Sequence, residues 1–335
     1  MRCGRPSIPL IAALVLAAPA GFDAENLQPV QRQRYCMGTM FEIIAYHPDR
    51  PDAERAVLRA LDEIARLDGV MSHFKAESEL SRLNRDGRQG FVTVSTSLFE
   101  VVEQALGFSV KSSGVFDVTI APVLRVWKRA YALGRVPSKE ELAEARLCVG
   151  YRKVELQPPN RIRLHSPCLE LDLGGIGKGY AVDRALDILK ADGIRHAVVN
   201  GGGSTIAGIG NPPDRTGWPV RLGASIAGRT TLLLRGQSIS TSRQTMSPLA
   251  AEPASAGEII DPRRGAPTAD RATVSIVARS ATVSDALSTA LLLLPGEVGQ
   301  RMLHEYSDVS ALWISPAGGL KAAYRVSRLT LDDPR

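Results

Sequence analysis

The chain has 335 residues, of which 44% are apolar and 23% are charged, and this composition is typical of a globular protein with a large core. The formal net charge is +6 and the isoelectric point is about 9.3, but the basic residues are scattered. Together with an aromatic content of only 5%, this pattern argues against a nucleic-acid-binding surface, and we expect no nucleic acid among the partners.

Residues 1–20 are predicted to form a secretory signal peptide. Two arginines precede an apolar run at residues 8–18, which is too short for a comfortable membrane span and is followed by small residues up to Ala20. We expect export by a Sec-type route to the periplasm or another extracytoplasmic compartment, with an uncleaved membrane anchor as the alternative. Residues 21–34 would then be a polar lead-in, and residues 35–330 a single domain.

Three cysteines would remain after export, namely Cys36, Cys148 and Cys168. An odd number of cysteines cannot pair completely within one chain. Cys148 and Cys168 would pair in an oxidising compartment, or all three would be buried thiols, and their spacing does not resemble a zinc site. The sequence leaves both interpretations open.

The first part of the domain is predicted to be a strand, residues 35–46, followed by a long helix that begins at Pro51. Apolar residues recur every three or four positions along this helix and define its buried face. They are Val57, Leu61, Ile64, Leu67 and Met71. The following loop contains Phe74 among polar neighbours, so this ring is either a satellite core residue or a stacking lid over a flat ligand.

Capping boxes predict two further helices. Ser97 with Glu100 favours a helix that runs to about Lys111, and Ser138 with Glu141 favours another that runs to Leu147. Between them, an apolar run at residues 114–127 contains Asp117. A buried carboxylate there would require hydrogen-bond donors from the protein or from a ligand. A hairpin is predicted at residues 154–164.

A glycine-rich turn follows, and it has the pattern of a phosphate-binding element. Residues 169–173 resemble a strand containing Asp172, four glycines lie at positions 174–179 around Lys178, and a helix then runs to about Gly193. Neither the Walker pattern nor the G-x-G-x-x-G pattern is satisfied. The turn is therefore either a phosphate cradle of another kind or a simple connection with a solvated lysine.

The remaining chain mixes strands and helices. Strands are predicted at residues 197–200, 273–278, 309–314 and 320–326, and several short strands between residues 219 and 242. Helices are predicted at 286–294 and 297–306, the first with a capping box from Thr282 to Asp285. Because strands and helices do not alternate strictly, we predict an α+β fold, without a Rossmann or P-loop domain.

Seven segments, taken together and in order, resemble the FAD:protein FMN transferase family, also called the ApbE family. These are Met37–Thr39, residues 71–84, Gly114–Thr119, Asp172–Asp183, Asn200–Gly203, Ile260–Gly265 and Ser284–Ala290. The resemblance implies a single ApbE-like catalytic domain that binds FAD and Mg²⁺. It also implies transfer of FMN to a Thr or Ser of an acceptor protein, often a membrane-associated redox subunit, with release of AMP.

The resemblance also assigns roles to individual residues. The FAD contacts would be Met37, Phe74, Val115, Phe116, Asp117, Asp172, Lys178 and Ile260, and the metal ligands would be Asp285, Thr289 and the carbonyl of Gly175. Asp285 and Thr289 are four residues apart and share one helix face, and their oxygens are hard ligands suited to Mg²⁺. The alternative for Asp285 is a purely structural role at the helix start.

Three positions depart from the family pattern. Glu258 stands where the family usually has the histidine that helps to activate the acceptor hydroxyl, Ser204 where Asp is common, and Arg243 where Gly is usual. A glutamate can act as a general base if burial raises its pKa, and we predict this role for Glu258. The alternatives are a periplasmic FAD-binding protein or FAD pyrophosphatase without transfer, or a scaffold that keeps only the fold.

Overall fold

The computed structural model describes residues 27–244, 259–268, 272–294 and 296–332. The predicted signal peptide and Glu258 lie outside these ranges. Within them, no helix combines the length and the apolar character needed to cross a membrane. Helices and strands are mixed, and the predicted α+β class is confirmed.

The helices are α1 (Arg50–Met71), α2 (Glu79–Asp86), α3 (Thr96–Lys111), α4 (Ala121–Ala132), α5 (Lys139–Cys148), α6 (Gly177–Ala191), α7 (Ala281–Leu292) and α8 (Gly296–Leu303). The strands are β1 (Gln28–Cys36), β2 (Thr39–His47), β3 (Val92–Thr93), β4 (Val154–Gln157), β5 (Arg161–Leu164), β6 (His196–Gly201), β7 (Thr205–Ile209), β8 (Trp218–Ile226), β9 (Arg229–Leu234), β10 (Ser238–Arg243), β11 (Ile260–Asp261), β12 (Ala266–Pro267), β13 (Thr273–Ala278), β14 (Ser310–Ile314) and β15 (Leu320–Tyr324).

The centre of the fold is an eight-stranded sheet in the order β1-β2-β6-β7-β10-β13-β14-β15. Every neighbouring pair in it is antiparallel, which excludes the parallel sheet of a Rossmann or P-loop domain. One face packs against α1, α6 and α7 and forms the main core. The β8–β9 hairpin covers part of the other face, where Ile239, Val277 and Leu312 are buried.

Helix α1 forms as its periodicity predicts. Asp49 caps it by accepting the N–H of Asp52 at 2.8 Å, and Pro51 occupies the first turn, where its missing N–H has no intrahelical partner to lose. The five apolar residues predicted to face the core are all buried, with Met71 the most exposed at 6%.

The strand predicted at 35–46 is confirmed for residues 39–46, which lie in β2, but a turn divides it from Tyr35 and Cys36, which end β1. Met37 and Gly38 form this two-residue turn with φ of 51° and 74°, the backbone that matches the twist of paired strands. The sheet therefore begins at Gln28, inside the segment predicted to be a polar lead-in.

Two helix starts also differ from the prediction. Ser95, not Ser97, caps α3, and its Oγ accepts the N–H of Leu98 at 3.3 Å. Ser280 caps α7, so this helix begins five residues earlier than predicted and Asp285 lies in its second turn. Asp285 is therefore not a helix cap.

The region around α5 agrees with the prediction. The capping box formed by Ser138 and Glu141 is present, and β4 pairs with β5 as the expected hairpin. A disulfide joins Cys148 at the end of α5 to Cys168, whereas Cys36 is a buried free thiol. The structure thus decides between the two interpretations of the cysteines.

Candidate active site

A cavity of about 330 Å³ lies between α4, the glycine-rich turn before α6, the end of β10, the segment that contains β11, and α7. Most of the residues that the sequence predicts for the site line this cavity. They are Phe74, Val115, Phe116, Asp117, Asp172, Gly175, Lys178, Ile260, Asp285 and Thr289. Residues that are distant in sequence therefore converge as expected.

Two predicted residues are not placed in this cavity. Met37 lies in the β1–β2 turn, packs partly against the main core and is not part of the lining. Glu258 lies outside the described residues, although Ile259, which follows it, lines the cavity. The role of Glu258 remains a prediction.

The strand predicted at residues 169–173, before the glycine-rich turn, is wrong. The backbone of this segment bonds to a side chain and to a loop, and not to another strand. Asn84 Nδ2 donates to the carbonyl of Leu171 at 3.0 Å, and the Leu171 N–H donates back to Asn84 Oδ1 at 2.8 Å. The Asp172 N–H donates to the carbonyl of Val118 at 2.7 Å. These bonds satisfy the extended backbone without a sheet and fix Asp172 at the cavity wall.

Helices α6 and α7 approach closely at Gly179. Its N–H donates to Asp285 Oδ2 at 2.8 Å. A Cβ at this position would lie 2.7 Å from the Cβ of Asp285 and even closer to the carbonyl oxygen of Ala281. Only glycine permits this contact, and it brings the Asp285 carboxylate to the glycine-rich turn.

Asp285 is 5% exposed, and its burial raises the pKa of the carboxyl group. The positive charge of Lys178, the Gly179 N–H and the Thr205 hydroxyl all oppose this increase because they stabilise the carboxylate. Burial is the largest of these effects, so the pKa of Asp285 is raised overall and the neighbouring groups only reduce the increase.

The N-terminus of α7 is held in place by Asp183 of α6. The Asp183 carboxylate accepts the N–H groups of Ala281 and Thr282 at 2.8 and 2.9 Å, and the hydroxyl of Ser280 at 2.6 Å. A carboxylate at a helix N-terminus is stabilised by the free N–H groups and by the helix dipole. The two helices that carry the site are thereby fixed to each other.

The predicted metal ligands present a set of hard oxygen donors. Thr289 lies one turn after Asp285 on α7, and a Cβ built on Gly175 would lie 3.5 Å from Thr289 Oγ1, so the glycine-rich turn and α7 are in contact there. The described ranges contain no group of three or more His, Cys, Asp or Glu side chains that could hold a metal. One carboxylate, one hydroxyl and one carbonyl nevertheless fit Mg²⁺, which keeps waters and takes phosphate oxygens as further ligands.

Asp117 obtains its hydrogen-bond donors from the protein itself. Its Oδ1 accepts the N–H and the hydroxyl of Thr119 at 2.9 and 2.7 Å, and its Oδ2 accepts the N–H of Tyr151 at 2.9 Å. Burial raises the pKa of Asp117, and these bonds oppose the increase. The carboxylate therefore stabilises the cavity wall and does not depend on a ligand for its partners.

Phe74 is 73% exposed at the cavity, and Lys128 Nζ lies 4.5 Å from the centre of its ring. An exposed aromatic face beside a cavity suits stacking against a flat ligand. Helix α4 continues this wall with Leu124, Trp127 and Tyr131. The sequence did not identify these three residues, because an apolar stripe at helical spacing looks the same whether it faces a core or a cavity.

Besides Lys128, two further cations line the cavity, Lys178 in the first turn of α6 and Arg243 at the end of β10. Neither forms an ion pair with a carboxylate of the residues that the structure describes. Unpaired cations on a cavity wall favour an anionic ligand, and a guanidinium matches phosphate oxygens in pairs. Ser204 and Ser242 add hydroxyl groups to the same wall.

A small separate core supports the α4 wall. It is formed by Val123 and Trp127 of α4, Ala145 of α5, and Ile260. The Trp127 Nε1–H also donates to the carbonyl of Gly265 at 2.7 Å. Since the disulfide joins α5 to the segment that leads to Asp172, it ties two walls of the cavity together.

An aromatic face, cations and hard oxygen donors around one cavity are the groups expected of a site for a flat, anionic ligand. Comparison with known proteins gives the family. The sequence model of the ApbE family matches residues 37–313, and the chain belongs to this family.

Relatives and solved structures agree with this assignment. An "FAD:protein FMN transferase" of Treponema pallidum is 30% identical over 92% of this chain and 91% of its own length. A protein of the same name from Vibrio cholerae is 28% identical over 91% and 92%. The fold is similar to that of the flavin transferase ApbE from Vibrio cholerae, with a TM-score of 0.74 and 26% identity over 89% of this chain and 97% of that one. An ApbE protein from Thermotoga maritima has a TM-score of 0.73 and 25% identity.

Proposed function

We propose that this protein is an Mg²⁺-dependent FAD:protein FMN transferase, which moves FMN from FAD to a Thr or Ser hydroxyl of an acceptor protein. One observation carries the proposal: a single cavity combines the exposed ring of Phe74, the oxygen donors of Asp285 and Thr289, and two cations, Lys178 and Arg243, that form no ion pair within the described residues. These groups match the flat ring, the diphosphate and the metal that the reaction requires. The names of its relatives also support it.

The walls of the cavity account for the binding of FAD. Phe74 offers a face to the isoalloxazine ring, and the apolar stripe on α4 removes the rest of that ring system from water. Lys178 and Arg243 attract the negatively charged diphosphate. The N–H groups of Gly177, Gly179 and Tyr180 in the first turn of α6 already have partners within the protein, so the lysine side chain supplies the contact there.

Asp285, Thr289 and the carbonyl of Gly175 would hold Mg²⁺. When bound, this metal supplies positive charge that stabilises the phosphate oxygens during transfer. Gly179 keeps the Asp285 carboxylate beside the turn, and the nearby charge of Lys178 favours its ionised form. The protein therefore supplies a pre-positioned oxygen ligand, and Lys178 counteracts part of the increase that burial causes in the pKa of Asp285.

In the transfer, the hydroxyl oxygen of the acceptor forms a bond to the FMN phosphorus while the bond from this phosphorus to the oxygen of AMP breaks. AMP leaves with the electron pair, and the hydroxyl proton must be accepted by a base. We assign this role to Glu258, which stands one residue before the cavity-lining Ile259. Lys178 and Arg243 would stabilise the charge that develops on the leaving phosphate.

The reaction would take place outside the cytoplasm, on a membrane-associated redox subunit. The pattern of residues 1–20 supports export, and the disulfide between Cys148 and Cys168 is of a kind that persists in oxidising compartments.

The test incubates the protein with FAD, Mg²⁺ and an acceptor segment that contains the target Thr, and measures the mass of the acceptor. A mass increase of one FMN, with release of AMP, is expected. Glu258→Gln should slow transfer about 100-fold or more and leave FAD binding unchanged. Release of FMN and AMP without an adduct would instead identify a pyrophosphatase, and bound FAD without turnover a binding protein.

A further inference from the structure

Hydroxyl groups fill the contact between β10 and α7 next to the proposed metal site. Ser242 Oγ lies 2.7 Å from Ser288 Oγ and 3.4 Å from Thr289 Oγ1, and Ser288 Oγ lies 2.9 Å from the carbonyl oxygen of Asp285. Ser288 is fully buried and Ser242 is 9% exposed, so water does not compete freely for these bonds. The three contacts form one chain that starts at Thr289 and ends at a backbone carbonyl.

The direction of this chain follows from counting protons. A carbonyl oxygen only accepts, so Ser288 must donate its single hydroxyl proton to Asp285. Ser242 must then donate to Ser288, and Thr289 must donate to Ser242. No other assignment gives each of the three contacts a proton.

As a result, the proton of Thr289 is directed toward Ser242, and the lone pairs of Thr289 Oγ1 remain for the cavity. A cation binds the lone pairs of a hydroxyl and is repelled by its proton. We propose that Ser242 and Ser288 are positioning residues, which orient the Thr289 hydroxyl so that it can coordinate a divalent cation. The inference rests on the metal site of the proposed function and adds two residues that do not touch the metal.

Helix α3 provides a matched control. Ser109 is also fully buried, and its hydroxyl donates to a backbone carbonyl, that of Ala105, at 3.0 Å. It does not line the cavity, and its hydrogen bond involves neither Thr289 nor Asp285. Ser109→Ala therefore removes an equally buried serine hydroxyl but leaves the orientation of Thr289 unchanged.

The test measures the dissociation constant of Mn²⁺, used as a spectroscopic probe for Mg²⁺, by electron paramagnetic resonance without FAD. Ser242→Ala and Ser288→Ala should weaken binding about tenfold or more, as losses of partners behind metal ligands generally do. Ser242→Thr keeps the hydroxyl and should restore the affinity to within about twofold, and Ser109→Ala should stay within the same range. Urea unfolding of each variant reports any loss of stability separately.

Unchanged Mn²⁺ affinity in both Ser242→Ala and Ser288→Ala, or an equal loss in Ser109→Ala, would overturn the inference. Asp285→Asn separates this failure from a failure of the proposed function. If Asp285→Asn binds Mn²⁺ as the unmodified protein does, or if the unmodified protein does not bind it, the metal site itself is wrong. If Asp285→Asn alone loses binding, the site is correct and the orienting role of the serines is refuted.

Discussion

The close contact between α6 and α7 at Gly179 predicts that adding a single methyl group at this position destabilises the protein. Gly179→Ala would place a Cβ 2.7 Å from the Cβ of Asp285 and closer still to the carbonyl oxygen of Ala281. Neither neighbour is the end of a flexible side chain, so the helices must separate. We expect this variant to lose both stability and metal-dependent activity.

The magnitude follows from three contributions. Overpacking of this kind costs about 1–3 kcal/mol, and weakening the bond from the Gly179 N–H to the Asp285 carboxylate costs about 1.5–3 kcal/mol. Alanine is favoured over glycine in a helix by at most about 1 kcal/mol. The free energy of unfolding should therefore fall by about 2–5 kcal/mol, since the steric and hydrogen-bond losses exceed the gain in helix propensity.

Urea unfolding, followed by circular dichroism, would measure this change, and Gly107→Ala is the matched control. Gly107 lies exposed in α3, and a Cβ there would meet no atom within 4 Å, so that variant should be slightly more stable than the unmodified protein. A change of less than about 0.5 kcal/mol for Gly179→Ala would refute the reasoning, because it would mean that the two helices are free to adjust.

Three further predictions concern the cavity and the disulfide. Phe74→Ala should weaken FAD binding by about 0.5–1.5 kcal/mol in a fluorescence titration while Phe74→Tyr keeps it, and equal affinities for all three proteins would exclude stacking. Arg243→Ala should weaken FAD binding about tenfold or more and leave the binding of riboflavin, which has no phosphate, unchanged. The control Arg221→Ala removes an exposed arginine outside the cavity and should not change either affinity. If Arg243→Ala also weakened riboflavin binding, a phosphate contact would be excluded. Reduction of the Cys148–Cys168 disulfide, with a sequence separation of 20, should lower the free energy of unfolding by about 3 kcal/mol. If the reductant had the same effect on the Cys148→Ala/Cys168→Ala protein, the loss would have another cause.

Sequence patterns correctly predicted the elements whose stability depends on interactions within the element itself. Helix α1 has a regular apolar period and a proline at its start, and both signals act within one helix. The β1–β2 turn was missed because Met37 adopts a positive φ that methionine rarely takes, and only the pairing of the two strands makes this conformation favourable. The start of α7 was misplaced because Ser280, Thr282 and Ser284 are all plausible caps, and the choice depends on Asp183 of a distant helix.

The residues of the candidate site also divide into those that the sequence predicts and those that depend on contacts between distant segments. Asp172, Lys178 and Asp285 could be identified from the sequence because the resemblance to a family assigns them roles together. Asn84 holds the glycine-rich turn through two hydrogen bonds to Leu171, and nothing in the local sequence indicates that partnership. Contacts made between distant segments leave no pattern in either segment alone, and they determine much of the wall of this cavity.

The disulfide has a consequence for how the cavity receives its ligand. It joins α5, which packs on the α4 wall, to the segment that carries Asp172, so the separation of these two walls is limited by a covalent bond. The conformational entropy of these two segments is lost when the disulfide forms, before any ligand binds. Ligand binding therefore does not have to order them, and the affinity is not reduced by that cost. Adjustment to the bound molecule is left to exposed side chains such as Phe74 and Lys128, and crystal structures with and without FAD should superpose closely along both walls.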